Sequence, residues 1–122
     1  MITTSLTLDE IYTLAKKTLL HNGCDELNAE AVSNTVTFAE RDGSISHGLF
    51  RIPGYTASLR SKKVKGDARP SNKFLTQNTI RVDGDFGFAP TAIKVGIPSL
   101  VEIANKYGVN LCLQTHKIWN IY

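Results

Sequence analysis

An α/β fold is predicted for this chain by three observations. Apolar residues recur at helical spacing over residues 8–59 and again over 86–107, two β-like runs flank Gln77-Asn78 as a hairpin would, and a further β-like run, Val109 to Leu113, follows the last helical stretch. At 122 residues the chain is about one domain long and can hold one hydrophobic core. Hydrophobic residues are 42% and charged residues 20%, a balance that excludes disordered, collagenous and coiled-coil classes.

Thr7, three residues before Glu10, has the spacing of a capping box, so a helix should begin there. Leu8, Ile11, Ala15 and Leu19 form its apolar stripe, and Asn22-Gly23 supplies a left-handed stop. A second helix is expected from near Asp25 or Asn28 to about Arg41, with Ala31, Val32, Thr35, Val36 and Ala39 facing inward and Asp42-Gly43 ending it. A short loop, Gly43 to Gly48, should lead into a third helix in which Leu49, Ile52, Tyr55 and Leu59 share a face and Pro53 occupies the first turn, where its missing N–H costs little. Residues 61–72 are basic and aperiodic and read as an exposed connection. Phe74 to Thr76 and Thr79 to Val82 form the predicted hairpin, and Gly84-Asp85-Phe86-Gly87 reads as a turn before a helix that contains Pro98 and is capped by Gly108.

No uninterrupted apolar run approaches the roughly 18 residues of a membrane helix, and Met1-Ile2-Thr3-Thr4-Ser5 lacks a signal-peptide pattern, so the expected location is cytoplasmic. Cys24 and Cys112 show neither a disulfide framework nor zinc-ligand spacing and read as inert thiols. The net charge of +3 is unevenly distributed. Residues 1–42 carry three basic against seven acidic side chains, whereas Arg60, Lys62, Lys63, Lys65, Arg69, Lys73 and Arg81 crowd the middle. That basic group lacks interleaved aromatics and reads as a solvated loop.

Val109 to Leu113 looks like a strand entering a sheet, yet a single hairpin is too little sheet to receive it, since about three strands or a helical cover are needed. The residues after it, including Ile118, Trp119, Ile121 and Tyr122, have no capping or turn logic. The expectation is therefore the front part of something larger.

Neither a Gly-x-Gly-x-x-Gly turn after a strand nor a Walker loop is present. Chemistry concentrates instead at Ser46, His47 and Arg51. If a helix begins near Ser46, His47 and Arg51 lie at i and i+4 on one face, where a single ligand could touch both. Arginine offers a planar fork that matches a carboxylate, and histidine can hand over a proton near neutrality, so the pair suits proton donation to a small carboxylic acid. Each residue also has a plainer reading: Ser46 as an N-cap, His47 as an ordinary loop or core histidine, Arg51 as a surface salt-bridge partner. Ser46 and His47 do not read as a nucleophilic dyad, because neighbours in a helix or strand do not face each other. His21 sits where it complements a helix dipole, and His116 has no distinguishing context.

Ser46-His47-Gly48 followed by Arg51, Pro53 and Tyr55 resembles the Ser-His-Gly-x-x-Arg signature of the malate/L-lactate dehydrogenase family, NAD(P)-dependent oxidoreductases that do not use the ordinary Rossmann fold. Asp42 to Leu59, Gly87-Phe88-Ala89-Pro90 and the helix to Gly108-Val109 are similar to its Δ1-piperideine-2-carboxylate/Δ1-pyrroline-2-carboxylate reductase branch. The resemblance covers about residues 7–110 and implies that residues 1–122 are the N-terminal portion of that fold: helices, a short β-hairpin and the first strand of a missing sheet. It implies that His47 is the proton donor, Ser46 a member of its relay, and Arg51 the substrate-carboxylate ligand. The implied reaction is hydride transfer from NADPH or NADH to a C=N or C=O carbon beside a carboxylate, with His47 protonating the nitrogen or oxygen. A homodimer, a small imino- or oxo-acid substrate, and neither nucleic-acid nor membrane partners are implied with it.

The pattern departs from the family near the C-terminus. A His-Phe-x-x-Leu cofactor motif is expected there, whereas His116 is followed by Lys117-Ile118-Trp119, so no cofactor role is carried to His116. The expectation is a product shortened by a frameshift or premature stop near residue 111, binding cofactor poorly, inactive alone, of low stability and prone to associate. Two readings of other classes stand beside it: a small basic nucleic-acid-binding module, whose binding would be salt-dependent, and a split subunit completed by a second chain.

Overall fold

Thr7 and Glu10 form the capping box that their spacing predicts. The Thr7 side chain accepts from the Glu10 amide at 3.1 Å and the Glu10 carboxylate accepts from the Thr7 amide at 2.7 Å. Helix α1 follows over Leu8–His21 and buries Ile11, Ala15 and Leu19, the i, i+4, i+8 stripe of an amphipathic helix. A computed structural model of the chain describes residues 2–108 with their side chains and residues 111–114 and 118–119 by their backbone.

Helix α2 (Glu26–Arg41) is capped by Asp25, whose carboxylate accepts from the Asn28 amide at 3.0 Å. It packs Ala29, Val32 and Val36 onto the α1 stripe, and Ile52, Leu59, Val64 and Phe88 close this main core. Burying each large aliphatic side chain there contributes about 1.5–3 kcal/mol relative to leaving it exposed. One expected inward residue is misplaced: Thr35 is exposed and returns its hydroxyl to the Ala31 carbonyl, while Asn28, Ser33 and Thr37 are buried instead. The buried face is centred on the small residues that let α1 and α2 approach.

Two 3₁₀ turns, Ile45–His47 and Leu49–Arg51, precede helix α3 (Ile52–Arg60), with Pro53 in its first turn as expected. The basic connection that follows is mostly exposed, but Val64 and Ala68 are buried anchors within it. It is stitched to the start of α2 by Asp25 N–H to the Gly66 carbonyl (2.9 Å), Asn28 Nδ2 to the Ala68 carbonyl (3.1 Å) and an Arg69–Asp25 ion pair at 2.6 Å.

Strands β1 (Ser71–Thr76) and β2 (Thr79–Asp83) form the predicted hairpin, with an irregular register between Phe74 and Thr76. On β2, Ile80 and Val82 point inward and Arg81 outward, the period of two that a half-buried strand requires. The turn after β2 places Asp85 and Phe86 at φ 50° and 57°, a left-handed pair held by the Asp85 amide on the Asp83 carboxylate and by the Gly87 amide on the Gly84 carbonyl, both at 2.9 Å. The helix does not begin at Phe86 as its periodicity suggests. Gly87–Phe88 first form a short strand, β3, and helix α4 then runs over Ala89–Tyr107 to Gly108, whose φ of 75° makes the left-handed cap.

From α4 the backbone returns as strand β4 (Leu111–Gln114), which lies parallel to β2 in the register Thr79↔Leu111 to Val82↔Gln114. Parallel neighbours need a crossover, and α4 provides it, packing Ala92 and Ile103 over Ile80 and Val82 as a second core cluster. The hairpin thus receives the strand directly, as the third member of a sheet ordered β1-β2-β4. Backbone at Ile118–Trp119 forms β5, parallel to β3. The side chain of Cys112, on which its expected role as an inert thiol rests, and His116 lie outside what the structure describes.

Candidate functional site

The site is the link between α2 and α3. Gly43, at φ 74°, ends α2, and the Ser44 amide closes the turn on the Ala39 carbonyl at 2.8 Å. The first 3₁₀ turn is held by the His47 amide on the Ser44 carbonyl (2.9 Å), the second by the Arg51 amide on the Gly48 carbonyl (3.0 Å). Gly48, at φ −90° and ψ −138°, separates them.

This geometry corrects the helical expectation for Ser46, His47 and Arg51. His47 and Arg51 are not i and i+4 of one α-helix, because Gly48 leaves helical ψ between them, and the α-helix begins only at Ile52. Ser46 is not an N-cap either. Its hydroxyl lies 2.8 Å from His47 Nδ1, a contact between sequence neighbours that a tight 3₁₀ turn permits and a regular helix or strand does not. When the hydroxyl donates to Nδ1, the ring proton resides on Nε2, the outward end of an exposed imidazole. Arg51 joins this pair through its Nε, which donates to the Ser46 carbonyl at 2.7 Å. The guanidinium is therefore anchored on the peptide group linking Ser46 to His47. With Nε engaged, the end-on fork of its two terminal nitrogens is the face left for a planar anion.

Arg51 makes no ion pair with the described residues, so it is not a surface salt-bridge partner among them. Tyr55, one turn further along α3, packs edge-on against Phe88 with ring centroids 5.2 Å apart. Burial pushes its phenol up, while the charge of Arg51 pulls the other way.

Glu40, in the last turn of α2, is the participant that sequence reasoning missed. Its Oε1 accepts from the Leu49 amide at 2.8 Å, which satisfies the first donor of the second 3₁₀ turn. The bond spans nine residues, and no local capping pattern announces it.

Two members of the basic stretch are paired, Lys65 with Asp85 at 2.8 Å and Arg69 with Asp25. Among the described residues, no group of three or more histidine, cysteine or acidic side chains could hold a metal, and no helix is long and apolar enough to cross a membrane. The turn after β2 is filled by the Asp85 carboxylate, which accepts from Lys65 Nζ and the Arg69 amide and would oppose a pyrophosphate there.

Ser46, His47 and Arg51 thus form one hydrogen-bonded group on the α2–α3 link, an exposed imidazole beside an anchored guanidinium. The model of the malate/L-lactate dehydrogenase family matches residues 6–117, and the chain belongs to that family. It is 40% identical to the Δ1-pyrroline-2-carboxylate reductase of Ancylobacter novellus over 104 residues, covering 85% of this chain and 30% of the relative. It is 35% identical to the Δ1-pyrroline-2-carboxylate/Δ1-piperideine-2-carboxylate reductase of Pseudomonas aeruginosa over 119 residues, 93% of this chain and 36% of that protein. The crystal structure of Δ1-piperideine-2-carboxylate reductase from Pseudomonas syringae superposes with a TM-score of 0.87 at 32% identity, over 92% of this chain and 34% of that one. Malate dehydrogenase from Entamoeba histolytica superposes with a TM-score of 0.81 at 29% identity, over 95% of this chain and 33% of that one. The chain spans about a third of the length of the relatives it matches.

Proposed function

We propose that this chain carries the proton-donating and carboxylate-binding part of a reductase of small cyclic 2-imino acids or 2-oxo acids, and that residues 1–122 are the N-terminal portion of that reductase's domain. The observation that supports the reading best is the Ser46–His47–Arg51 arrangement, with Ser46 Oγ on His47 Nδ1 and Arg51 Nε on the Ser46 carbonyl. The His47 imidazolium gives its Nε2 proton to the substrate nitrogen or oxygen and is left as a neutral ring that keeps its Nδ1 proton. Ser46 Oγ accepts that Nδ1 proton and so holds the ring in place as it changes charge. Arg51 grips the substrate carboxylate end-on, which places the adjacent C=N or C=O carbon beside the imidazole. A nicotinamide dinucleotide, when bound, supplies the hydride in this family; the residues described here supply orientation and the proton.

Activity in the relatives belongs to proteins about three times as long, and we assign no turnover to the 122 residues alone. The test is a chimaera in which residues 6–108 replace the matching segment of the Pseudomonas syringae enzyme, assayed with NADPH and Δ1-pyrroline-2-carboxylate. The chimaera should reduce the imine. His47→Ala should lower kcat on the order of 10²–10⁴-fold. Arg51→Lys should raise KM, since a point charge does not replace the fork. A chimaera whose kcat is indifferent to His47→Ala refutes the assignment, and imine reduction by the purified 122-residue chain refutes its inactivity alone.

A further inference from the structure

We propose that Glu40 is the positioning residue of this site, setting the place of His47 and Arg51 from the end of α2; the functional meaning of that place rests on the reading above. Two independent observations meet at its carboxylate. Oε1 accepts the Leu49 amide at 2.8 Å and so fixes the start of the second 3₁₀ turn, which ends at Arg51. Gly48, between the two turns, is buried with Glu40 lying where a Cβ would stand: the built Cβ falls 2.7 Å from Glu40 Cγ and collides with the carboxylate itself. The glycine of the Ser-His-Gly triplet is thus the gap that admits the Glu40 side chain.

His47 precedes that glycine, and the peptide joining Ser46 to His47 holds Arg51 Nε. A displaced carboxylate therefore moves both functional heads together. Neither Ser44 nor Ser46 caps these turns, so among the described residues the Leu49 donor depends on Glu40. Helix α2 is rooted in the main core through Val32 and Val36, so the reference point for the loop is a helix held by buried packing.

Nuclear magnetic resonance on the free chain tests this without substrate. The readouts are the His47 ring ¹⁵N signals, which report the tautomer, and hydrogen exchange of the Leu49 amide. Glu40→Ala should shift the His47 ring toward an averaged tautomer and speed Leu49 exchange on the order of ten- to a hundredfold, as loss of a bond to a charged acceptor implies. Signals from Ala15 and Val32 should stay in place. Glu40→Gln retains a carbonyl oxygen for Leu49 and should restore the wild-type His47 pattern. Gly48→Ala should reproduce the effect of Glu40→Ala, and the double variant should be no worse than either single one, because the two changes act through one contact. His47 signals unchanged in Glu40→Ala overturn the proposal, as does a Glu40→Gln variant as perturbed as the alanine. If Glu40→Ala does not fold, Glu40→Gln and Gly48→Ala still decide. An inactive chimaera with these shifts present would remove the reductase reading and leave the positioning role, and the reverse result would remove only the latter.

Discussion

Two adjacent side chains, Cys24 and Asp25, show how burial and charge divide the chemistry of this molecule. Burial, with a smaller contribution from the neighbouring Asp25 charge, pushes the Cys24 thiol up to about 12. The thiolate is the reactive form, so Cys24 in the folded chain should resist a thiol reagent at pH 8 and react readily once denatured, as a stopped titration of free thiol would show. For Asp25, burial works to raise the carboxyl, but hydrogen bonds from Asn28 and the Arg69 guanidinium outweigh it, and the net displacement is downward. A carboxyl held lower in the folded state stabilises it fully above the ordinary carboxylate range and ceases to do so as pH falls through the folded value. Asp25→Asn keeps a capping oxygen for the Asn28 amide and removes the charge and the oxygen that face Arg69. Its melting temperature should lie below wild type at pH 7, and the gap should narrow as pH falls below the unfolded carboxylate value of about 3.9 and close only below the lower folded value. Ser46, His47 and Arg51 were legible as candidates because their residue types are chemically distinctive. Glu40 was not, since nothing in a glutamate nine residues before Leu49 distinguishes it from the other acids of α2.

Helices and hairpin were legible wherever the signal is local: the Thr7–Glu10 box, the Asp25 cap, Gly43 and Gly108 as left-handed stops, Pro53 in a first turn. Local signals misled where tertiary contact overrides them. A helix starting near Ser46 gave way to two 3₁₀ turns because the Glu40 carboxylate reaches in from α2 and takes the space that Gly48 leaves. Helix α4 offers a quantitative contrast of the same kind. Gly96 is buried, and a Cβ there would stand 2.9 Å from Val82 Cγ2 and 3.9 Å from Ile80 Cδ1. Alanine is the better helix former by about 1 kcal/mol, yet overpacking a tight contact typically costs about 1–3 kcal/mol. Gly96→Ala should therefore lower the denaturation midpoint, and a Val82→Ala background should rescue it; a stabilised single variant would mean that α4 sits farther from the sheet than described.

At the scale of the molecule, two cores lie side by side, one among α1, α2 and α3 and one between α4 and the sheet, and large apolar side chains remain outside both. Ile45 and Phe50 are each 72% exposed around the site, and Phe38, Ile93 and Ile97 line an open groove between α2 and α4 with Pro90. Apolar surface of this kind favours association, so sedimentation of the purified chain should show mass rising with concentration, and Phe38→Asp with Ile97→Asp should reverse it. A sharp two-state melt from a monomer at all concentrations would contradict this. The amino-acid sequence by itself determined the helices, their caps, the hairpin and the residue types of the site, because each depends on contacts within a few residues of the chain. Tertiary structure alone decided the parallel docking of β4 on β2, the burial of Asn28 against the 61–72 connection, and the seating of the His47 loop on Glu40. Each of these joins groups that the chain order separates, and the close packing that selects among such pairings exists only once the elements have met.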